Sequence, residues 1–428
     1  MQGRQAPARR PLKKLAINGG YTLNGNIEIS GSKNAALPMM AASILSDQDI
    51  VLHGIPDLAD VRTMITLLES MGIEINKNHK DSLKFNASGV DSRFASYELV
   101  KTMRASIMVL GPLLAKYGEA KVSLPGGCAI GARPVDLHIQ GLEKLGARIE
   151  IRDGYILASA DRLIGSSYCF PKKSVTGTAN ILMAATLAEG QTEIVNAACE
   201  PEIVQLGELL NAMGAKIDGV GGDCIKIEGV ENLVSAEIEI IPDRIEAITM
   251  IIAGIITQGE LKIENIDPSH IEGPIDLIRQ CGAKLEISER SLFVKGPDQI
   301  LPISFETEAY PGIPTDIQAQ LMVLNSIANG DSKITETIFE NRFMHVLELK
   351  RMGANISIDG STAKISGVSR LNSAPVMATD LRASAALILA GLIAKGETVI
   401  DRIYHLDRGY ESLEKKLSNI GAKVRRID

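Results

Sequence analysis

Six times along the chain an apolar helical pattern ends in glycine and gives way to a short alternating run. The copies are "LLESMGIEI", "LEKLGARIEI", "LLNAMGAKID", "LIRQCGAKLEI", "LELKRMGANISI" and "LEKKLSNIGAKVRRI". Their glycines, Gly72, Gly146, Gly214, Gly282, Gly353 and Gly421, are separated by 74, 68, 68, 71 and 68 residues. Self-similarity at a fixed period marks a repeat architecture. Each glycine suits a helix C-terminus, where a left-handed residue without Cβ costs little. The run that follows alternates with period two, as a half-buried strand does.

A second helix precedes the first in every unit, clearest in "RASIMVLGPLLAKYG", "ANILMAATLAEG", "IEAITMIIAGIITQG", "DIQAQLMVLNSIANG" and "LRASAALILAGLIAKG". These segments are apolar on nearly all faces, which requires burial and not a seat on the surface. Each closes in glycine and runs into another strand-like piece, such as "AKVSLPGG" or "ELKIENI". The unit therefore reads strand, buried helix, strand, amphipathic helix, strand, strand. Six units of roughly 70 residues fill the chain, and the wholly apolar helices favour sheets packed outward around buried helices. Three units around one helical core give a domain of about 200 residues, so two domains of three units follow.

Composition narrows the function classes. The chain has 428 residues, 45% of them hydrophobic but only 4% aromatic, with no tryptophan, so its core is built from aliphatic side chains and Met. A net charge of -7 argues against a nucleic-acid footprint. The basic start "MQGRQAPARRPLKK" is followed by no apolar signal region and reads as a flexible tail, residues 1–14. The apolar stretch "AITMIIAGIITQG" is shorter than a membrane span, so no membrane association is expected. Five scattered cysteines and six scattered histidines form neither a disulfide framework nor a zinc site, and they fit a reducing cytoplasm.

Polar residues cluster at the repeat junctions. In "ISGSKNAALP", Gly31 and Ser32 make a turn and cap, with Lys33 and Asn34 at a helix entrance. This is either an ordinary capped start or a seat for an anion. Arg104 in "KTMRASIMVLG" and Arg382 in "ATDLRASAALILAG" stand at the mouths of apolar helices, where an arginine must pair with a carboxylate or face an anionic cleft. Asp380 precedes Arg382. Asp316 in "YPGIPTDIQAQ" is placed to cap a helix, to act as a base beside substrate, or both. "IPDRIEAIT" puts Asp243, Arg244 and Glu246 at a further start, and "FENRF" and "HLDRGY" place Arg342 and Arg408 on loops. "LPGGCAIGARPVD" sets Cys128 and Arg133 among glycines, either a turn with a core thiol or a loop that brings a thiol and a guanidinium to an anion. Lys33, Arg104, Arg133, Arg342, Arg382 and Arg408 make six cations at junctions of an acidic protein, a pattern suited to a small, highly anionic substrate. A repeat protein serving only as a binding scaffold predicts no such clusters.

With these residues in view, the chain resembles the enolpyruvyl transferases, specifically those of cell-wall synthesis that act on UDP-N-acetylglucosamine. The motifs "GSKNAALP", "LPGGCAIGARPVDLHI", "IPDRIEA", "YPGIPTD" and "ENRF" carry the resemblance, which spans almost everything after the tail. It implies an inside-out α/β barrel fold of six repeats with buried helices. One domain would hold residues 15–32 and 243–428, the other residues 33–242 with the 124–136 catalytic loop. It also implies addition–elimination through a tetrahedral ketal, passing the enolpyruvyl group of phosphoenolpyruvate to the sugar 3-hydroxyl and releasing phosphate, the first committed step toward peptidoglycan.

Carried residue by residue, the resemblance makes Cys128 the thiol that can add to phosphoenolpyruvate and protonate its methylene carbon. Asp316 would take the hydroxyl proton. Lys33, Arg133 and Arg408 would grip phosphoenolpyruvate, with Arg104, Arg342 and Arg382 completing a cationic lining. Asn34 and Glu200 would contact the sugar substrate or intermediate, and Asp380 would serve elimination or loop control. Pro134, Val135, Asp136, Leu137, Asp243 and Ile338 would join the substrate contacts. No cofactor, catalytic metal or obligate protein partner is implied. The sister enzymes that use shikimate 3-phosphate share the repeats, but the cysteine loop and "YPGIPTD" argue against them.

Overall fold

The computed structural model describes residues 14–79, 81–101, 103–125 and 135–428. The basic start before Lys14, and with it Cys128, Arg133 and Pro134, lies outside the described residues.

Among the described residues the strands form six four-stranded sheets of one pattern. In the fifth unit, Phe305–Glu306 pairs in parallel with Asp331–Thr335, Thr362–Ser366 pairs antiparallel to that strand, and Asn355–Asp359 lies outermost. The parallel step is bridged by a buried helix, here Gln318–Ser326, and the next crossing by the amphipathic helix His345–Arg351. The six repeat glycines all adopt positive φ, between 91° and 109°, which ends each amphipathic helix and starts the next strand.

Two units begin with a strand borrowed from a distant part of the chain. Ala236–Glu239 supplies the first strand beside Ile50–His53, and Asn24–Glu28 the first strand beside Glu260–Glu264. Lys14–Asn18 lies between Glu397–Asp401 and Lys423–Ile427, filling the last sheet. The buried side chains fall into two separate cores. One joins Leu15–Ile29 positions to those from Ile245 to Ala422; the other runs from Ala35 to Ile240. The chain passes between them twice, at residues 29–33 and 240–244.

Each core is built on helices buried on all sides. Every one of the 13 residues of Arg244–Ile256 is buried, and Leu381–Ile393 is nearly so. A fully buried Ile or Leu contributes about 1.5–3 kcal/mol relative to exposure, and six of the 13 residues in each helix are Ile or Leu. Two of the expected helices start later than their sequence pattern suggests. Arg104–Val109 and Thr315–Ile317 are 3-10 turns that lead into Leu110–Tyr117 and Gln318–Ser326. Arg104 and Asp316 are therefore held on tight turns ahead of the α-helices. No helix among the described residues is long and apolar enough to cross a membrane.

Candidate functional site

The polar groups converge where helix starts from the two cores meet. Ser32 caps the helix Lys33–Ala42, accepting a hydrogen bond from Ala35 N. This leaves Lys33 as the first helical residue, its side chain turned to Asp60, with Nζ 3.4 Å from Oδ2. Asp60 is buried on the helix Ala59–Glu69 and also accepts from Arg408 Nε at 2.8 Å. Burial pulls the Lys33 ammonium below the ordinary lysine range. Asp60 opposes that shift and the nearby Arg382 and Arg408 reinforce it. Lys33 also feels Asp316, so these five charges share one field.

Asp316 is the second anchor. Its Oδ1 accepts from Arg342 Nη2 at 2.8 Å and its Oδ2 from Arg382 Nη2 at 2.9 Å. Both arginines are buried, Arg382 with its guanidinium over the Tyr410 ring. Burial alone would raise the Asp316 carboxyl. The Arg382 and Arg342 guanidiniums overcome that penalty and hold it well below the usual carboxylate range. The side chain does not cap the following helix, so the capping expectation for Asp316 is corrected: two buried cations are a stronger draw than one backbone N–H. Buried Glu336 fixes the neighbourhood, accepting from Thr315 Oγ1 and from the backbone of Ile338 and Phe339.

Like Arg408 and Asp60, one further pair links the cores. Arg244, first in its helix, donates to Glu202 Oε1 at 2.9 Å, with its guanidinium 5.4 Å from the Tyr310 ring centre. Glu200 stands two positions before Glu202 as N-cap of Pro201–Ala212, and burial pushes its carboxyl up against the pull of its backbone hydrogen bond and Arg244. Glu200 Oε2, Glu202 Oε2 and Arg382 Nη1 are buried without a hydrogen-bond partner among the described residues. Such groups are costly unless a polar ligand meets them.

The remaining expected residues are placed as follows. Asn34 is the second residue of the Lys33 helix, and Arg104 opens its 3-10 turn. Val135 precedes Asp136 and Leu137, the first residues of the helix Asp136–Lys144. Asp243 caps Arg244–Ile256 and also accepts from Lys33 N at 3.4 Å. Ile338 is tied through its N–H to Glu336. Asp380 caps Leu381–Ile393, accepting from Arg382 N and Ala383 N. Asp60 and Glu202 were not anticipated. Asp60 had a signal: with Val61, Met64, Leu67 and Leu68 it lies on the apolar stripe of its helix, where a carboxylate needs a partner. His138 was also missed. It is buried against Asn180 and Thr176, and burial, with Arg104 nearby, pushes its pKa down to about 4.

Chemically, the arrangement offers two carboxylates, Asp60 buried and Asp316 half-buried, each gripped by two cations near the place where the two cores meet. An anion entering it competes for those cations, and Asp316 is available to receive a proton once they are drawn away. Among the described residues, no three His, Cys, Asp or Glu side chains converge as metal ligands would.

Comparison with known proteins bears on this cleft. A family model described as EPSP synthase (3-phosphoshikimate 1-carboxyvinyltransferase) matches residues 17–417. The chain is 52% identical over 416 residues to UDP-N-acetylglucosamine 1-carboxyvinyltransferase of Desulfosudis oleivorans, covering 97% of this chain and 100% of that protein. It is 50% identical over 418 residues to the protein of the same name in Hydrogenovibrio crunogenus, again covering 97% and 100%. Among solved structures, the enolpyruvyl transferase NikO from Streptomyces tendae superposes with a TM-score of 0.88 at 23% identity, covering 97% of this chain and 99% of that one. An EPSP synthase from Acinetobacter baumannii gives 0.75 at 18%, covering 97% and 100%. These two structures share the fold.

Proposed function

The chain belongs to the EPSP synthase family, and within it we propose that this protein transfers the enolpyruvyl group of phosphoenolpyruvate to the 3-hydroxyl of UDP-N-acetylglucosamine, releasing phosphate. Its relatives at 50–52% identity over nearly the whole chain carry the name of that activity. The observation that carries the reading is Asp316, a half-buried carboxylate between the buried Arg342 and Arg382, in one field with Lys33 and Arg408.

The reaction needs an acid on one side of phosphoenolpyruvate and a base on the other. Cys128 gives a proton to the methylene carbon, leaving oxocarbenium-like character at carbon 2. The sugar 3-hydroxyl attacks that carbon and its proton goes to Asp316. Loss of a proton from the new methyl group then expels phosphate. Gripped by two arginines, Asp316 is a weak base. The phosphate and carboxylate of phosphoenolpyruvate compete for Arg342 and Arg382, and drawing them off restores its basicity at the moment the hydroxyl is in place.

Lys33, Arg133 and Arg408 bind phosphoenolpyruvate, with Arg104, Arg342 and Arg382 around it. Asn34, Glu200, Asp243, Ile338 and the segment from Pro134 to Leu137 hold the sugar nucleotide, and Asp380 supports elimination. The free state of Cys169, Cys199, Cys224 and Cys281 suits work in the cytoplasm. A phosphate-release assay tests the reading. Phosphate should appear from phosphoenolpyruvate with UDP-N-acetylglucosamine and not with shikimate 3-phosphate; the reverse pattern would overturn it.

A further inference from the structure

The two passages between the cores lie side by side. Ser32 N donates to Ile241 O at 2.7 Å, Asp243 N donates to Ser30 O at 2.9 Å, and Gly31 bridges Pro242 in antiparallel fashion. Gly31 also abuts the opposite core closely enough that a Cβ there would sit 2.0 Å from Gly54 O. This short ribbon leads directly into Lys33 on one strand and Arg244 on the other.

One residue of the ribbon, Ser30, is held by charged side chains. Its N–H donates to Glu246 Oε2 at 3.1 Å and its hydroxyl to Glu411 Oε2 at 2.8 Å. Lys416 Nζ donates to Ser30 Oγ at 2.8 Å and to Glu246 Oε1 at 2.5 Å. Glu246 is 2% exposed, and taking a carboxylate and an ammonium out of water is expensive unless their geometry does something a packed apolar pair would not. Here the pair touches the proposed site only through the Glu246 N–H, which donates to Asp243 Oδ1 at 3.0 Å as part of that residue's helix cap. It grips the crossing chain three residues before Lys33. Lys416 and Glu411 also follow closely on Arg408, which reaches the other core at Asp60.

We propose that Lys416 and Glu246 are positioning residues: by clamping Ser30 at the crossing, they set Lys33 and Arg408 in register against Asp60. The inference deepens the proposed transferase reading of the cleft and rests on it for its kinetic test.

Lys416→Met would leave Glu246 buried and uncompensated, so it is compared with the double variant Lys416→Met/Glu246→Gln, which removes both charges at similar volume. In each, KM for phosphoenolpyruvate should rise about tenfold while kcat stays within about threefold. A merely structural role would lower kcat with the folded fraction and leave KM unchanged. Amide hydrogen exchange across residues 28–36 reads the clamp independently of substrate and should quicken about tenfold in both variants. Unchanged exchange, unchanged KM, or a double variant with wild-type KM would each overturn the proposal. A wild-type protein inactive with both substrates would sink the transferase reading instead, and the exchange result would still decide the clamp.

Discussion

Arg408 donates its Nε–H to Asp60 Oδ1 at 2.8 Å, joining side chains 348 positions apart in the chain and rooted in different cores. Lys33 Nζ shares the same carboxylate. One buried aspartate therefore organises two of the cations proposed to bind phosphoenolpyruvate, and it ties the two cores together.

Asp60→Asn should move the alkaline limb of kcat/KM to lower pH. Burial already depresses the Lys33 pKa, and Asp60 is the largest influence raising it. Without the carboxylate, the ammonium loses its proton at a lower pH and the cation needed for binding disappears earlier. The pH–rate profile checks this; a limb that stays in place or moves upward would falsify the coupling.

Asp316→Asn should lower kcat by about 10²–10⁴ if the carboxylate takes the hydroxyl proton. It should also destabilise the fold by about 3 kcal/mol at neutral pH, because Arg342 and Arg382 lose their shared partner. The sign with pH is fixed by the depressed carboxyl. Its stabilisation is complete above the unfolded value of 3.8 and fades as pH falls through the lower folded value. Urea denaturation should therefore show the full gap between variant and wild type at pH 7 and a shrinking gap below about pH 4.

Arg244→Met alone should cost about 3–5 kcal/mol, since Glu202 would remain buried and charged. Adding Glu202→Gln should return much of that loss. Strictly additive costs in a double-mutant cycle would show that the interdomain pair carries no coupling.

An epoxide phosphonate such as fosfomycin should alkylate Cys128 and abolish activity, with phosphoenolpyruvate protecting. The instructive competitor is Cys199, whose Sγ lies 3.3 Å from Lys173 Nζ beside Glu200. Peptide mapping that finds the adduct on Cys199, with activity lost, would overturn the assignment of the acid. Cys128→Asp should retain activity and escape modification.

Much of this architecture was legible before any fold was known. The glycines from Gly72 to Gly421 marked the helix ends because φ near +95° is cheap only without a side chain. The almost uniformly apolar "AITMIIAGII" announced its own burial, while Lys33, Asp316 and Arg382 stood out as charges at helix starts and Arg342 and Arg408 as cations on loops. Asp60 showed only as a carboxylate on an apolar helix stripe and Glu202 not at all, because the partners that tie them to the site, Arg408 and Arg244, come from the other core.

The sequence by itself determined the repeat, the buried helices and the set of polar junctions, since periodicity, glycine placement and unpaired charge are local properties of the chain. Which charge meets which was decided by tertiary structure. Asp316 could have capped its helix and was instead taken by two arginines, from 26 and 66 positions away. Asn24–Glu28 and Ala236–Glu239 each complete a sheet with a distant strand, Asn24 opposite Glu260 and Ala236 opposite Ile50. The physical reason is common to both cases. A carboxylate drawn partly out of water and an open sheet edge each need a partner, and only packing settles which of several chemically adequate partners arrives.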